Sequence, residues 1–147
     1  MINIDRHFRR AVVVSVLALA SIAAQAATVN LKAALKGSSE VPPNTSVGTG
    51  MLTATLDTTT NEFKYHVTFE GLTGAATAAH FHGPAAPGAN GAPQLPVKMS
   101  PVVSPIDGTA TLTPAQAKEL LAGKWYINIH TKANPGGEIR GQLEISK

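Results

Sequence analysis

The feature that most constrains the fold of this chain is a period-two alternation of apolar and polar side chains in several short segments. The clearest segment is residues 63–69, in which Phe63, Tyr65, Val67 and Phe69 are separated by polar residues. Gly, Pro, Asn and Asp bound these segments. The pattern predicts antiparallel strands with one face toward a core. We predict six or seven strands, at residues 29–35, 50–56, 63–69, 78–82, 108–112, 125–131 and 138–145.

One short helix is predicted between the last strands. Thr113 is a candidate N-cap, Pro114 suits the first helical position, and Gln116 completes a capping box. Residues 83–108 contain six prolines and are predicted to form a long surface loop with at most an edge strand. The fold class is therefore all-β, an antiparallel β-sandwich or Greek-key barrel with one short helix.

The N-terminal residues have the order of an export signal. Three arginines precede an apolar run, which is followed by a small-x-small site that predicts cleavage after Ala26. The apolar run is shorter than the ~20 residues that span a bilayer. We therefore predict a signal peptide at 1–26 and one mature domain at 27–147, without a membrane span and either periplasmic or secreted.

Composition excludes several classes of function. Removing three arginines and one aspartate with the signal turns a chain of 12 basic and 9 acidic residues into a nearly neutral domain. Its basic residues are scattered, whereas a nucleic-acid-binding protein concentrates them on one face, so we expect no nucleic-acid partner. The chain has no cysteine, which excludes disulfides, thiol catalysis and thiolate zinc sites.

Three motifs in order resemble a known family. They are LKAALKGSSEVPPN at 31–44, AHFHGPA at 79–85, and WYINIHT at 125–131 followed by GGEIRGQL at 136–143. In these segments the chain resembles the CHRD domain, a module named for its copies in chordin and found in many exported bacterial proteins. The resemblance implies an immunoglobulin-like β-barrel. The growth-factor antagonism of chordin is not carried over, because this chain lacks the accompanying cysteine-rich modules.

Strand parity places the mature histidines on polar faces. His80 and His82 share one face of their strand. On the later strand, Ile127 and Ile129 face the core, so His130 lies on the other face of that strand. A His-x-His pair on a strand spans about 6.5–7 Å, so a third histidine from another strand could complete a site for one ion. Three neutral imidazoles without a thiolate favour Cu(II) or Zn(II) over hard cations. His80, His82 and His130 are therefore a candidate metal site.

The register of the last hairpin adds a fourth residue to this hypothesis. Pairing Ile129 with Ile139 keeps both apolar sets on one face, and it places His130 opposite Glu138. Glu138 would then be a fourth ligand or an acceptor that fixes the tautomer of His130.

Several interpretations of function remain open. One is an exported, non-enzymatic binding or interaction module with an unknown protein partner or ligand, since the sequence shows no nucleophile elbow or other catalytic constellation. The alternative is a periplasmic copper or zinc carrier or, less in keeping with four histidines and no cysteine, an oxidoreductase similar to superoxide dismutase. The histidines could also be ordinary strand residues that hydrogen-bond to the Pro-rich loop. A self-associating envelope component is a further possibility.

Overall fold

The computed structural model describes residues 27–146, and the regular secondary structure of this part of the chain is mostly β-strand. A single 3-10 turn, Gly37–Ser39, follows the first strand. The elements in chain order are β1 Thr28–Lys36, β2 Thr49–Asp57, β3 Glu62–Glu70, β4 Ala76–His82, β5 Pro93–Pro96, β6 Ile106–Thr111, α1 Pro114–Leu121, β7 Tyr126–Thr131, β8 Ile139–Gln142 and β9 Glu144–Ile145.

The strands form one antiparallel sheet in the order β5-β4-β7-β8-β1-β2-β3-β6, with β9 paired to β1. The sheet curls into a half-barrel, so that its two ends pack against each other. Phe81 of β4 lies edge-on to Phe63 and Tyr65 of β3, with ring centroids 5.3 and 4.9 Å apart. The all-β antiparallel fold is confirmed. The immunoglobulin-like Greek-key arrangement stays a prediction.

Side-chain alternation selects the core, as the sequence predicts. Phe63, Val67 and Ile127 are completely buried, and the fully buried Trp125 packs beside Phe81. The predicted register of the last hairpin is also confirmed, because Ile129 pairs with Ile139. Burial of such side chains at about 25 cal/mol per Å² is the main stabilising contribution to a domain without disulfides.

The helix begins as predicted. The side chain of Thr113 accepts a hydrogen bond from the Gln116 main chain, the Gln116 side chain accepts one from the Thr113 main chain, and Pro114 is the first helical residue. In the Pro-rich segment, β5 is a short edge strand on β4. The sixth strand, β6, begins at Ile106 rather than Gly108.

Two further predictions concern the export signal and the absence of a membrane span. The predicted export signal, residues 1–26, lies outside the described residues. Among residues 27–146, no helix is long and apolar enough to cross a bilayer.

Candidate metal centre

Strands β4 and β7 are neighbours, and this places the three predicted histidines together. Opposite the β4 residues Ala78, His80 and His82 lie His130, Asn128 and Tyr126 of β7. His130 is thus diagonal to His80 on the shared face. Phe81, on the other face, pairs with Ile127 in the core. Strand parity predicts the face of each histidine, but it could not predict that these two strands are neighbours.

The three imidazole rings lie close together. One ring nitrogen from each of His80, His82 and His130 lies within 4.8 Å of the other two. His80 Nδ1 and His130 Nε2 are 3.1 Å apart. Nitrogens on one tetrahedral zinc ion lie roughly 3.3 Å apart, given Zn–N bonds of about 2.0 Å. The His80–His130 pair is therefore already near ligand spacing, and one nitrogen of His82 lies within 4.8 Å of both.

Main-chain carbonyls fix the tautomers of two rings. His82 Nδ1 donates to the Gly91 carbonyl and His130 Nδ1 donates to the Pro135 carbonyl, each at 3.0 Å. A carbonyl can only accept, so Nδ1 carries the proton in both rings. Nε2 therefore carries the lone pair in both His82 and His130, and in His82 this lone pair has no hydrogen-bond partner among residues 27–146.

The third ring completes the local hydrogen-bonding scheme. Since His130 Nε2 is an acceptor, His80 Nδ1 donates to it. Transfer of that proton to the other nitrogen of His80 would expose a third lone pair without changing the charge of the ring. The cluster can therefore present three neutral nitrogen donors to one ion.

His82 Nε2 is the least satisfied atom of the cluster. His82 is 8% exposed, and Nε2 is buried without a hydrogen-bond partner among residues 27–146. Leaving a buried polar atom unpaired costs about 1–3 kcal/mol. A bound ion would remove that cost.

Burial favours the neutral form of two of the imidazoles. It lowers the pKa of His80, and the nearby His82 ring lowers it further. Burial likewise lowers the pKa of His130, although the Pro135 carbonyl acts in the opposite direction. Neutral imidazole is the form that binds metals, so these shifts favour metal binding by His80 and His130.

The N-terminal part of the Pro-rich segment covers this face. Gly91 is the centre of the contact: its carbonyl accepts from His82, and its main-chain N–H donates to the Tyr126 hydroxyl at 3.2 Å. Arg140 of β8 donates to the Ala89 carbonyl and the Asn90 side chain, at 2.7 and 3.0 Å. The loop therefore buries one side of the cluster, while His80 and His130 stay partly exposed.

A stack of side chains crosses the sheet beside the cluster. The rings of His82 and Tyr126 are parallel to within 7°, with centroids 4.9 Å apart. The Arg140 guanidinium carbon lies 3.4 Å from the centroid of the Tyr126 ring. Tyr126 and Arg140 are each only 2% exposed. Sequence reasoning predicted the face and register of both residues but assigned them no role.

The predicted pairing of Glu138 with His130 is not formed in the structure. The acceptor for His130 is the Pro135 carbonyl, and the carboxylate of Glu138 binds Ser46, Thr73 and Thr131 instead. The reason is local. Glu138 lies in the irregular backbone between Gly137, which has a φ of +133°, and the start of β8. Its carboxylate accepts from the buried Thr131 hydroxyl, so Glu138 shares the inner face with Thr131 rather than the outer face with His130.

The fourth histidine of residues 27–146 has a different environment. His66 pairs with Thr53 across β2 and β3, and its Nδ1 lies 2.7 Å from an Asp107 carboxylate oxygen on β6. Both side chains are exposed. His66 is therefore a solvated partner of an aspartate, away from the three-imidazole cluster.

The fold and site define an antiparallel β-domain with three converging imidazoles on one outer face. The family comparison agrees with the three sequence motifs: the CHRD domain model matches residues 31–143. The chain belongs to the CHRD domain family. No curated protein and no solved structure matches it.

Proposed function

We propose that this CHRD domain is an exported, non-enzymatic binding module that holds one copper or zinc ion through His80, His82 and His130. The observation that carries the proposal is the convergence of three imidazoles, with one ring nitrogen of each within 4.8 Å of the other two. The buried His82 Nε2, which lacks a partner in the described part of the chain, supports it. A purely structural histidine would be expected to pair that atom.

The surroundings suit reversible binding. Gly91 and Pro135 orient two rings before an ion arrives, which lowers the entropic cost of binding. His80 and His130 are partly exposed, so an incoming ligand from a partner can reach the ion. We therefore propose carriage or storage of the ion as the role of the module.

The ion-binding proposal is tested by calorimetric titration of purified protein, without a polyhistidine tag, with Cu(II), Zn(II) and Cu(I), the last under anaerobic conditions. We expect one ion per chain for at least one metal, and at least about a hundredfold weaker binding of that metal by His82→Ala. His66→Ala is the matched control, because it removes an exposed histidine outside the cluster, and it should bind like the unmodified protein. Equal binding by the unmodified protein and His82→Ala would refute a site at these residues.

Export is proposed from the sequence of residues 1–26. Expression of the whole chain in a bacterium, followed by separation of periplasm and medium from cytoplasm, should recover a product that begins at Ala27. Retention of the full-length chain in the cytoplasm would contradict export. It would not affect the metal-binding proposal, which the calorimetric titration tests separately.

A further inference from the structure

The acceptors around the imidazole cluster carry no formal charge. The ring N–H groups of His82 and His130 donate to the main-chain carbonyls of Gly91 and Pro135. None of the carboxylates within residues 27–146 hydrogen-bonds to the three clustered rings. Metal-binding histidines are often oriented by carboxylates, whose negative charge helps to offset the charge of a divalent ion. That compensation is missing from the described surroundings of this cluster.

A buried cation lies one ring away from the cluster. Strand β7 lies between β4 and β8, so the row from His82 to Tyr126 to Arg140 runs across three adjacent strands. Arginine stays protonated in proteins. The guanidinium is held by the Ala89 carbonyl and the Asn90 side-chain oxygen, which are neutral groups. Its positive charge is therefore only weakly screened where it faces the tyrosine.

Two carboxyl groups nearby offset this cation incompletely. Burial raises the pKa of Glu40 to about 7, although Arg140 acts to lower it, so the group is only partly ionised at neutral pH. Glu138 is ionised, but it shares the inner face of the hairpin with Thr131, whereas the imidazoles lie on the outer face. Hydrogen bonds from Ser46, Thr73 and Thr131 also stabilise its negative charge locally.

Building on the proposed function, we infer that the site selects the monovalent cuprous ion, Cu(I), over the divalent ions Cu(II) and Zn(II). The repulsion between a bound ion and the Arg140 cation is proportional to the charge of the ion, so a divalent ion is penalised twice as strongly. Three neutral nitrogen donors also satisfy Cu(I), which accepts three-coordinate geometry, whereas Zn(II) at the same three donors needs a water or a partner's ligand in its fourth position.

The inference is tested by competition titration. The protein is titrated with Cu(I) under anaerobic conditions against a chromophoric Cu(I) chelator, and in parallel with Cu(II) and Zn(II) against chelators of known affinity at the same pH. We expect the dissociation constant for Cu(I) to be at least about tenfold below those for the divalent ions. Each titration is repeated with His82→Ala, and the binding that this variant loses is the binding at the three-histidine site.

Two variants separate charge from packing. Arg140→Gln removes the cation and should reduce the preference for Cu(I) over Cu(II) by about tenfold, whereas Arg140→Lys keeps the charge and should retain the preference. A ratio of two affinities reports on charge, because a general loosening of the site weakens the binding of both ions.

The outcomes distinguish the two proposals. Binding of Cu(II) or Zn(II) that depends on His82 and equals or exceeds the binding of Cu(I) would overturn the cuprous inference and support the proposed metal-binding function. Failure of all three ions to bind in a His82-dependent manner would overturn both. If Arg140→Gln does not fold, the comparison of ions on the unmodified protein still decides.

Discussion

Two polar clusters lie on opposite faces of the same hairpin, and they differ in how completely their atoms are paired. Around Glu138, one carboxylate oxygen accepts from the Ser46 hydroxyl and the Thr73 main chain, and the other accepts from the hydroxyls of Thr73 and Thr131, all at 2.6–2.7 Å. In the imidazole cluster, the N–H groups of His82 and His130 are bound, while the buried Nε2 of His82 is unpartnered within residues 27–146.

The difference indicates what each cluster does. Glu138 is fully buried, and its hydrogen bonds connect the hairpin to the segments that contain Ser46 and Thr73. Four paired acceptor positions leave no capacity for a ligand, so this cluster stabilises the fold. The imidazole cluster retains unused lone pairs, at a cost in stability, which is the expected arrangement at a binding site.

Removing the paired carboxylate has the largest expected effect. Glu138→Ala should lower the free energy of unfolding by about 3–5 kcal/mol, because four charge-assisted hydrogen bonds are lost and the buried hydroxyl of Thr131 loses its carboxylate acceptor. Urea denaturation measures the change. Glu144→Ala, at an exposed position of β9, is the matched control and should change stability by less than about 0.5 kcal/mol. A loss below about 1 kcal/mol for Glu138→Ala would contradict the structural role of this cluster.

Acid should weaken the fold through the same carboxylate. Burial alone would raise the pKa of Glu138, but hydrogen bonds from Thr131, Ser46 and Thr73 together lower it to about 2. A folded-state pKa below the unfolded value gives a contribution that is complete above about pH 5 and is lost as the pH falls toward 2. The contribution is roughly 3 kcal/mol. Glu138→Gln should remove this part of the pH dependence, and identical acid profiles for the two proteins would argue against it.

Glu40 should show the opposite pH dependence. Burial raises its pKa to about 7 in the folded protein, so ionisation opposes folding and stability should fall as the pH rises from about 4.5 to 7. Glu40→Gln keeps the shape without the charge and should be more stable than the unmodified protein at pH 8, by roughly 2–3 kcal/mol. Denaturation at pH 5 and pH 8 measures this difference, and a gap that does not widen with pH would show that Glu40 is not the titrating group.

Replacing the unpartnered histidine should cost much less stability than replacing Glu138. His82→Leu loses one hydrogen bond, to Gly91, and removes a buried atom that has no partner among the described residues. We expect a change of about 1 kcal/mol in the free energy of unfolding, measured in the ion-free protein. A loss as large as that of Glu138→Ala would mean that the imidazole cluster is structural.

The sequence could predict the face of the strand on which each side chain lies and the register of the last hairpin. Alternation predicted which face each histidine occupies, and the matching of apolar sets predicted the pairing of Ile129 with Ile139. Both follow from local geometry with a period of two residues. The adjacency of β4 and β7 depends on the whole topology and could only be assumed.

The missed features depend on irregular backbone. Glu138 lies between Gly137, which has a positive φ, and the start of β8, where regular strand alternation does not predict the direction of a side chain. The carbonyls that orient the imidazoles belong to Gly91 and Pro135, and any residue provides a carbonyl. The predicted register did place Arg140 diagonally from Tyr126, and an arginine beside an aromatic residue on adjacent strands was the available signal for the stack.

The central claim is that three particular ring nitrogens bind one ion, and nitrogen-15 NMR of the histidine side chains tests it most directly. Spectra are recorded with and without one equivalent of Cu(I) under anaerobic conditions, and with Zn(II), because both ions are diamagnetic. We predict ligation shifts at Nε2 of His82, Nε2 of His130 and Nδ1 of His80, with the resonances of His66 unchanged. Unchanged resonances for the three clustered histidines in the presence of both ions, or shifts confined to His66, would contradict the account.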